Sequence, residues 1–564
     1  MPATSTTSLP HLPIFQVHAQ DKLLPQQEAT LSFQRAKQIA AAYSLTDNDI
    51  RSLSPAFWNM HADPITCLDF AATTLLTIQL NLAAGTVATY VREQPHLRTV
   101  LDDLLRFDVS GQFCLTELDH GLDAINIETT ATLLEDGGFE LHTPHFGASK
   151  FMPPTVPCGI PTVAVVFAKL LVEGNNCGIR PFLVQLNDGT HMCPGVSAHL
   201  LPSRRAPKHI NHSITSFNRV RLPNTALLGG ITGSGNYRLD FFQAIWRVAV
   251  GTMSLAAIPV SSLQIAAFIA GRYSQRRTVV GTEGQLIPLI SFRTQHAPIL
   301  IALAQSFVLK EFWRYATSFF SDQSNDPRVR HAIAAALKAI FVQHGQTANL
   351  ALSDRCGAQG LFDHNQICTL HAEIRGIAIA EGDILALSIR LSTELLLERY
   401  EMPKPVHSSS LLFRHEDGLL SENREILARI GAHRSAEYES LVLPHAEKIV
   451  QSIGHRMAYD TATLAGLDPR ITDLYQISSI RLDEAWYVEN AGFSRSAQFE
   501  AEDKAIRAAM PLLDTWLEDT GIQPYIRAPI VCAERWATFV EQLDTFSGIP
   551  VVATSINQHS NARL

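Results

Sequence analysis

The sequence predicts an α+β fold that is mostly α. An N-terminal helical domain covers 1–110, a small central β-barrel or sandwich domain covers 111–235, a helical bundle covers 236–402, and a further helical domain covers 403–564. Two changes of texture predict this order. Near Gly111, long apolar stretches with helical spacing give way to short runs rich in Val, Ile, Thr and Phe, separated by Gly and Asp turns. From about residue 238 the helical texture returns and holds almost to the end. A third observation closes the bundle: the proline-marked break "YEMPKP" at 400–405.

The start, "MPATSTTSLPHLP", lacks a basic head and an apolar core, so it is not expected to be a secretory signal. "ATTLLTIQLNLAAGTVATYV" at 72–91 is long, apolar and free of proline, and "PHLRTVLDDLLRF" at 95–107 is amphipathic; both read as helices. In the β region, Asp136-Gly137-Gly138 separates two strand-like runs as a hairpin turn, and "HSITSFNRVRLP" at 212–223 reads as the last strand. "LLGGITGSGNY" at 227–237 lacks the spacing of a phosphate-binding loop and reads as a linker. Long helices are expected over 240–275, 288–320, 327–350 and 382–400. Residues 248–271 carry no charge and form the one run that mimics a membrane span. Pro259, Gln264 and three serines inside it favour a buried core helix, so no span is expected.

Composition excludes some classes. A net charge of −9 without any basic block argues against a general nucleic-acid binder. The basic patches at 203–209 and 272–277 are sized for phosphates rather than for a duplex. The eight cysteines include no CxxC pair, so they read as reduced thiols and no metal site is expected.

"GIAIAEGDILALSIRL" at 376–391 places a carboxylate, Glu381, inside an apolar run. Residues 377–380 offer no base to pair with it. Either it sits at a solvated loop-to-helix junction or it is held in an apolar site, and the window alone favours the junction.

Several motifs, taken together and in order, resemble the acyl-CoA oxidase and acyl-CoA dehydrogenase superfamily over about 65–400, and the extra C-terminal block resembles the oxidase branch. "CLTELDHG" at 114–121 is similar to the T-E-x-G-H-G segment that meets the flavin, which implies an FAD contact at Thr116, with Asp119 departing from glycine. "ETTAT" at 128–132 resembles an oxidase strand. "SKFMPPTVPCG" at 149–159 resembles K-W-W-P-G-G-L-G, with Pro154 in place of a glycine. "FNRVRLP" and "RVAVGTMSLAA" resemble the end of the family's β domain and the helix whose arginine helps hold coenzyme A, which implies Arg247 as substrate-binding. "YSQRRTVVGTEG" resembles Y-x-x-x-R-x-x-F-G, implying that Arg277 reaches the flavin diphosphate of a neighbouring subunit and hence a homodimer. Gln295 falls where the family has an FAD-contacting glutamine. "RCGAQGLF" resembles C-G-G-x-G-Y, implying Gly357 and Gly360 as FAD contacts, with Ala358 and Leu361 departing.

The resemblance reverses the local reading of Glu381. It falls at the family's Y-E-G-[DT], which implies a catalytic base with Gly382 beside it at the substrate, although Ala380 and Ile384 depart from the pattern. The activity so implied is that of an FAD-dependent oxidase. Glu381 removes the α-proton of an acyl-CoA or related thioester, the β-hydrogen leaves as hydride, and dioxygen is the acceptor, giving a 2-enoyl thioester and hydrogen peroxide. Alternatives stay open: a specialised flavoenzyme on a carrier-bound or non-CoA substrate, or a non-catalytic subunit. Ala562-Arg563-Leu564 resembles a type-1 peroxisomal targeting tripeptide, implying the peroxisome, with the cytoplasm as the alternative.

Overall fold

The structure, a computed structural model, describes residues 6–16, 23–204 and 209–548; the Ala562-Arg563-Leu564 tripeptide lies outside them. The chain begins its helical part with α1, Pro25–Tyr43, which opens on a proline whose missing N–H costs nothing at that position. Its apolar face, including Phe33, Ala36, Ile39 and Ala40, enters the core. Arg35 reaches across to Asp69, an almost fully buried pair at 2.6 Å. The Asp69 carboxylate also caps the next long helix, α2, Phe70–Tyr90. The middle of α2 is widened into a π-helical stretch over Thr77–Ala83, which carries the fully buried Gln79 and Asn81. The amphipathic α3, Arg98–Arg106, leads into the first strand.

Strands β1 (Ser110–Cys114), β2 (Thr130–Leu133), β3 (Phe139–His142), β5 (Thr162–Val172), β6 (Asn175–Asn187) and β9 (Val220–Leu222) form a six-stranded sheet around β5. β1 and β2 pair parallel to β5, while β6 pairs antiparallel to it. β4 (Lys150–Pro154), β8 (His212–Phe217) and β7 (Val196–Leu200) form a second, antiparallel sheet. Side chains alternate along β5, and both faces are covered. Ala164, Val166, Ala168 and Leu170 join the core between the sheets, whereas Val165 and Phe167 join the helical core.

The expected single last strand is two. Arg219 adopts a left-handed backbone at φ 52°, which bends the chain and hands it from one sheet to the other. The two prolines in β4 are tolerated because β4 is an edge strand whose register shifts there.

The expected helix over 240–275 is divided into α4 (Tyr237–Ala244), α5 (Arg247–Ala256) and α6 (Ile258–Arg276), with Pro259 in the first turn of α6. After α6 comes a hairpin, β10 (Thr278–Val280) with β11 (Leu286–Pro288), which falls between the expected helices over 240–275 and 288–320 and meets the second only at Pro288. Next come α7 (Arg293–Ser321) and α8 (Pro327–Arg355). α9 (Ile367–Ile379) is an addition to the helices that periodicity predicts. It buries Ile367, Leu370, Ile374 and Ile377 at helical spacing, and its β-branched residues and Gly376 obscure that period. α10 (Ile384–Leu396) completes the bundle.

The remaining helices, from Leu411–Ile430 onward, pack on α7, α8 and α10. Among the described residues, two stretches, Phe70–Tyr90 and Arg247–Arg276, are long and apolar enough to cross a membrane, where composition along the sequence points to one. Both lie inside the protein, 89% and 100% buried.

Candidate active site

Glu381 lies in the four-residue junction between α9 and α10. Its backbone is left-handed at φ 51°, and Gly382 is next at φ 102°, a conformation that favours glycine. Two consecutive left-handed residues reverse the chain and send the Glu381 side chain inward. Oε2 accepts a hydrogen bond from Asn81 Nδ2 at 3.2 Å. It also lies against Gly251 of α5, where a Cβ would come within 1.2 Å of it. The residue as a whole is only partly buried, because the backbone of the turn stays near the surface while the carboxylate is enclosed.

The carboxylate is not in the purely apolar site that sequence allowed. Lys338 from α8 and Arg247 from α5 bring positive charge toward it. Burial nevertheless prevails over Lys338, the Asn81 hydrogen bond and Arg247, each of which favours the charged form, and the carboxyl is raised to about 8. Lys338 is itself pushed down to about 8 by burial, against the opposing pull of Glu381 and Asp383.

Arg247 does not stand where a substrate would meet it. It is 2% exposed. Nε donates to Asn81 O at 2.9 Å and Nη1 to Ile50 O at 3.1 Å, and the guanidinium lies over Phe57 and Trp246. Close approach to Gly85 encloses it further, since a Cβ there would lie 2.2 Å from Nε. The expectation of a cation free for coenzyme A therefore gives way to a buried bracket between α2 and α5. Gly382 is half-buried, and its carbonyl accepts from Lys338 Nζ at 2.5 Å.

The residues expected to hold FAD fall in two places. Gln295 Nε2 donates to Ser274 Oγ at 2.8 Å and to Arg355 O at 2.7 Å. That one amide joins α6, which ends just before Arg277, to the end of α8, which runs into Gly357. Arg277 is exposed, and Gly357 has φ 59° with open space where a Cβ would stand. Gly360 is a packing glycine, since a Cβ there would lie 2.1 Å from Ser353 O.

Thr116 is on the β domain, where its carbonyl accepts from Phe151 N at 2.9 Å and its hydroxyl makes no bond among the described residues. Beneath it lies a fully buried pair, Lys150 with Glu117 at 2.9 Å. Glu117 also accepts from the amides of Glu128 and Thr129 at 2.6 and 2.9 Å, which fixes the path of the strand end.

Sequence reasoning missed Asn81, Thr252 and Lys338. Lys338 did leave a signal, the one charge in "AIAAALKAIFV" at 332–342. Among the described residues no three His, Cys, Asp or Glu side chains gather as a metal site. A surface groove of about 440 Å³ lined by Phe307, Lys310 and Trp516 shares no residue with the Glu381 turn.

The family model for the acyl-CoA oxidase C-alpha1 domain matches residues 250–396, the segment that contains the turn, α8 and the Gln295 bridge. Over that segment the chain is similar to acyl-CoA oxidases. Human peroxisomal acyl-coenzyme A oxidase 3 is 28% identical over 430 residues, covering 70% of this chain and 60% of that protein. Arabidopsis thaliana acyl-coenzyme A oxidase 2, peroxisomal, is 26% identical over 350 residues, covering 57% and 50%. The chain thus spans between half and about three-fifths of the length of these acyl-CoA oxidases. Among solved structures, acyl-CoA oxidase 1 from Yarrowia lipolytica superposes with a TM-score of 0.81 at 19% identity, over 96% of this chain and 90% of that one. Caenorhabditis elegans acyl-CoA oxidase-2, bound with FAD, ascaroside-CoA and ATP, gives 0.71 at 15% identity over 96% and 95%. These structures share the acyl-CoA oxidase fold, mostly helical with a central β region.

Proposed function

We propose that the chain is an FAD-dependent acyl-CoA oxidase-like enzyme that desaturates an acyl thioester between its α and β carbons, with dioxygen as acceptor, yielding a 2-enoyl-CoA and hydrogen peroxide. The observation that carries this reading is the enclosed Glu381 carboxylate, raised to about 8 and aimed inward from a left-handed turn. A group with that proton affinity can take a weakly acidic α-proton near neutral pH and hold it.

The residues present fit FAD in part. Arg277 offers an exposed guanidinium suited to a diphosphate, Gly357 leaves room for close approach, and the Thr116 hydroxyl is unused among the described residues. Gln295, by contrast, has its amide donor committed within the chain and has only its carbonyl oxygen to offer. FAD, when bound, supplies the acceptor for the departing hydride.

Arg277 also supports a homodimer. It lies at the far end of α6, whose 19 residues at 1.5 Å each span about 28 Å from the α5 side where Glu381 packs. From there it serves a partner's flavin more readily than its own. The peroxisomal names of the two relatives support a peroxisomal location.

A second reading is a thioester carried otherwise than on coenzyme A. The enclosure of Arg247 favours it, because the one cation expected at coenzyme A is buried, with Nε and Nη1 bonded to carbonyls. The test is the visible spectrum of the purified protein, followed by anaerobic mixing with straight-chain acyl-CoAs and the matching N-acetylcysteamine thioesters. Bleaching by acyl-CoAs alone supports the first reading, and equal bleaching by both supports the second. A colourless protein that takes up no FAD overturns both.

A further inference from the structure

The turn that carries Glu381 is held in a way that a plain connector between two helices does not need. Its three successive carbonyls are each taken by a side chain from another helix. Lys338 Nζ donates to Ala380 O at 2.6 Å and to Gly382 O at 2.5 Å. Between them, Thr252 Oγ1 approaches Glu381 O at 2.7 Å, closer than its contact with Val248 O at 3.1 Å in its own helix. Lys338 sits in the middle of α8, within an apolar run, and is 0% exposed. A lysine is rarely enclosed without a carboxylate bonded to it. Here its hydrogen bonds go to neutral carbonyls, and the charges that face it are Glu381 and Asp383. Glu381 in turn faces Lys338 from α8, Arg247 from α5 and the Asn81 amide from α2. A non-glycine residue in the left-handed region is disfavoured and persists where its surroundings hold it.

We propose that Lys338, assisted by Thr252, is a positioning residue for the base: together they lock the 380–382 turn in the form, left-handed at Glu381 and Gly382, that sends the Glu381 carboxylate inward. The inference rests on the reading of Glu381 as the base. A simpler role must be separated from it. A cation beside the last carbonyls of α9 stabilises any helix end, whatever the carboxylate does. Only the positioning role ties the mobility of the 380–382 turn to turnover; the Lys338 ammonium in addition favours the carboxylate form of Glu381.

The test uses the full-length holoenzyme, the acyl thioester that the wild type oxidises fastest, and the variants Lys338→Met, Thr252→Val and Glu381→Gln. Backbone amide exchange over 380–384 is measured alongside turnover, since it needs no substrate. Lys338→Met is expected to lower kcat about 100-fold or more with KM within about threefold, to move the acid limb of the pH–rate profile upward by about one unit, and to speed amide exchange in the turn. Thr252→Val is expected to speed exchange and lower kcat about tenfold while leaving the acid limb in place. If Lys338→Met is stable, with wild-type exchange in the turn and the wild-type acid limb, while Glu381→Gln is inactive, the base stands and the positioning role falls. If Lys338→Met does not fold, Thr252→Val decides, and wild-type exchange and turnover there overturn the proposal. An active Glu381→Gln, or a wild type that oxidises no thioester, removes the base and the positioning role with it.

Discussion

At the scale of single residues, the chemistry turns on how Glu381 is enclosed. Its carboxylate rests on the backbone of Gly251, the position in α5 where a side chain would collide with it. Burial disfavours its charge, while Asn81, Lys338 and Arg247 favour it, and burial prevails. As the proposed base, Glu381 must be deprotonated to act, so kcat is expected to rise with pH through about 8, the value to which the carboxyl is raised. Glu381→Gln preserves size and the Asn81 contact but removes the base. It is expected to retain fold and flavin and to slow flavin bleaching by about 10²–10⁴-fold, the usual range for a general base. Stopped-flow spectra across pH 6–9 check both statements. The same raised carboxyl has a consequence for stability: the folded chain holds that proton above pH 4.5, so its contribution is lost as pH rises toward 8.

At the scale of elements, the site is made by interruptions of helices. The π-helical stretch of α2 carries Asn81 to the carboxylate. The break at α5 places Arg247 at a helix start, and the junction between α9 and α10 carries Glu381. The glycine turn after α8 shows two glycines with different reasons to be glycine. Gly357 has the left-handed backbone and open space, whereas Gly360 lies against Ser353 O. Gly360→Ala is therefore expected to cost about 1–3 kcal/mol through overpacking. Gly357→Ala is expected to cost about 1 kcal/mol from backbone conformation alone. Urea unfolding of the two variants checks the order, and an equal loss would refute the packing argument.

At the scale of the whole molecule, α6 separates the Arg277 end from the Glu381 end, and in the proposed dimer the two ends would meet across two copies. Arg277→Ala is expected to lower FAD retention and subunit association together, read by flavin content and light scattering on holo and apo protein. Unchanged content and mass would count against the shared site. The helical core also encloses histidines in neutral form. His344, held down to about 3, meets His455 at 5.0 Å between ring centroids where α8 packs on the helix Ala446–Leu464, and His455 is likewise pushed well below its usual range. His61, His212 and His331 are lowered to about 4, each mainly by burial. The unfolded chain binds protons at these sites from about pH 6.5 downward while the folded chain does not, so stability falls as pH drops from 6.5 toward 4. Glu381, Asp63 and Glu416 oppose this, since burial raises them. The histidines outnumber them, and thermal melts are expected to show a lower Tm at pH 4.5 than at 7.

By itself the sequence determined the order of helical and β segments, the hairpin at 136–138, the burial of 248–271 and the family-like placing of Glu381, because these depend on local period, turn chemistry and short motifs. It did not show where helices break, as at Ala257, or that α9 exists, because β-branched residues and glycine weaken a period that packing restores. Only the tertiary structure decided what surrounds Glu381. Asn81, Thr252 and Lys338 lie 300, 129 and 43 positions before Glu381 in the chain, and no local pattern ties them to it. It also decided the fate of Arg247, a charge that sequence offered to a substrate and that the packing of α2 on α5 encloses. The physical reason is common to both: burial and the partners of a buried charge are set by contacts between elements distant along the chain.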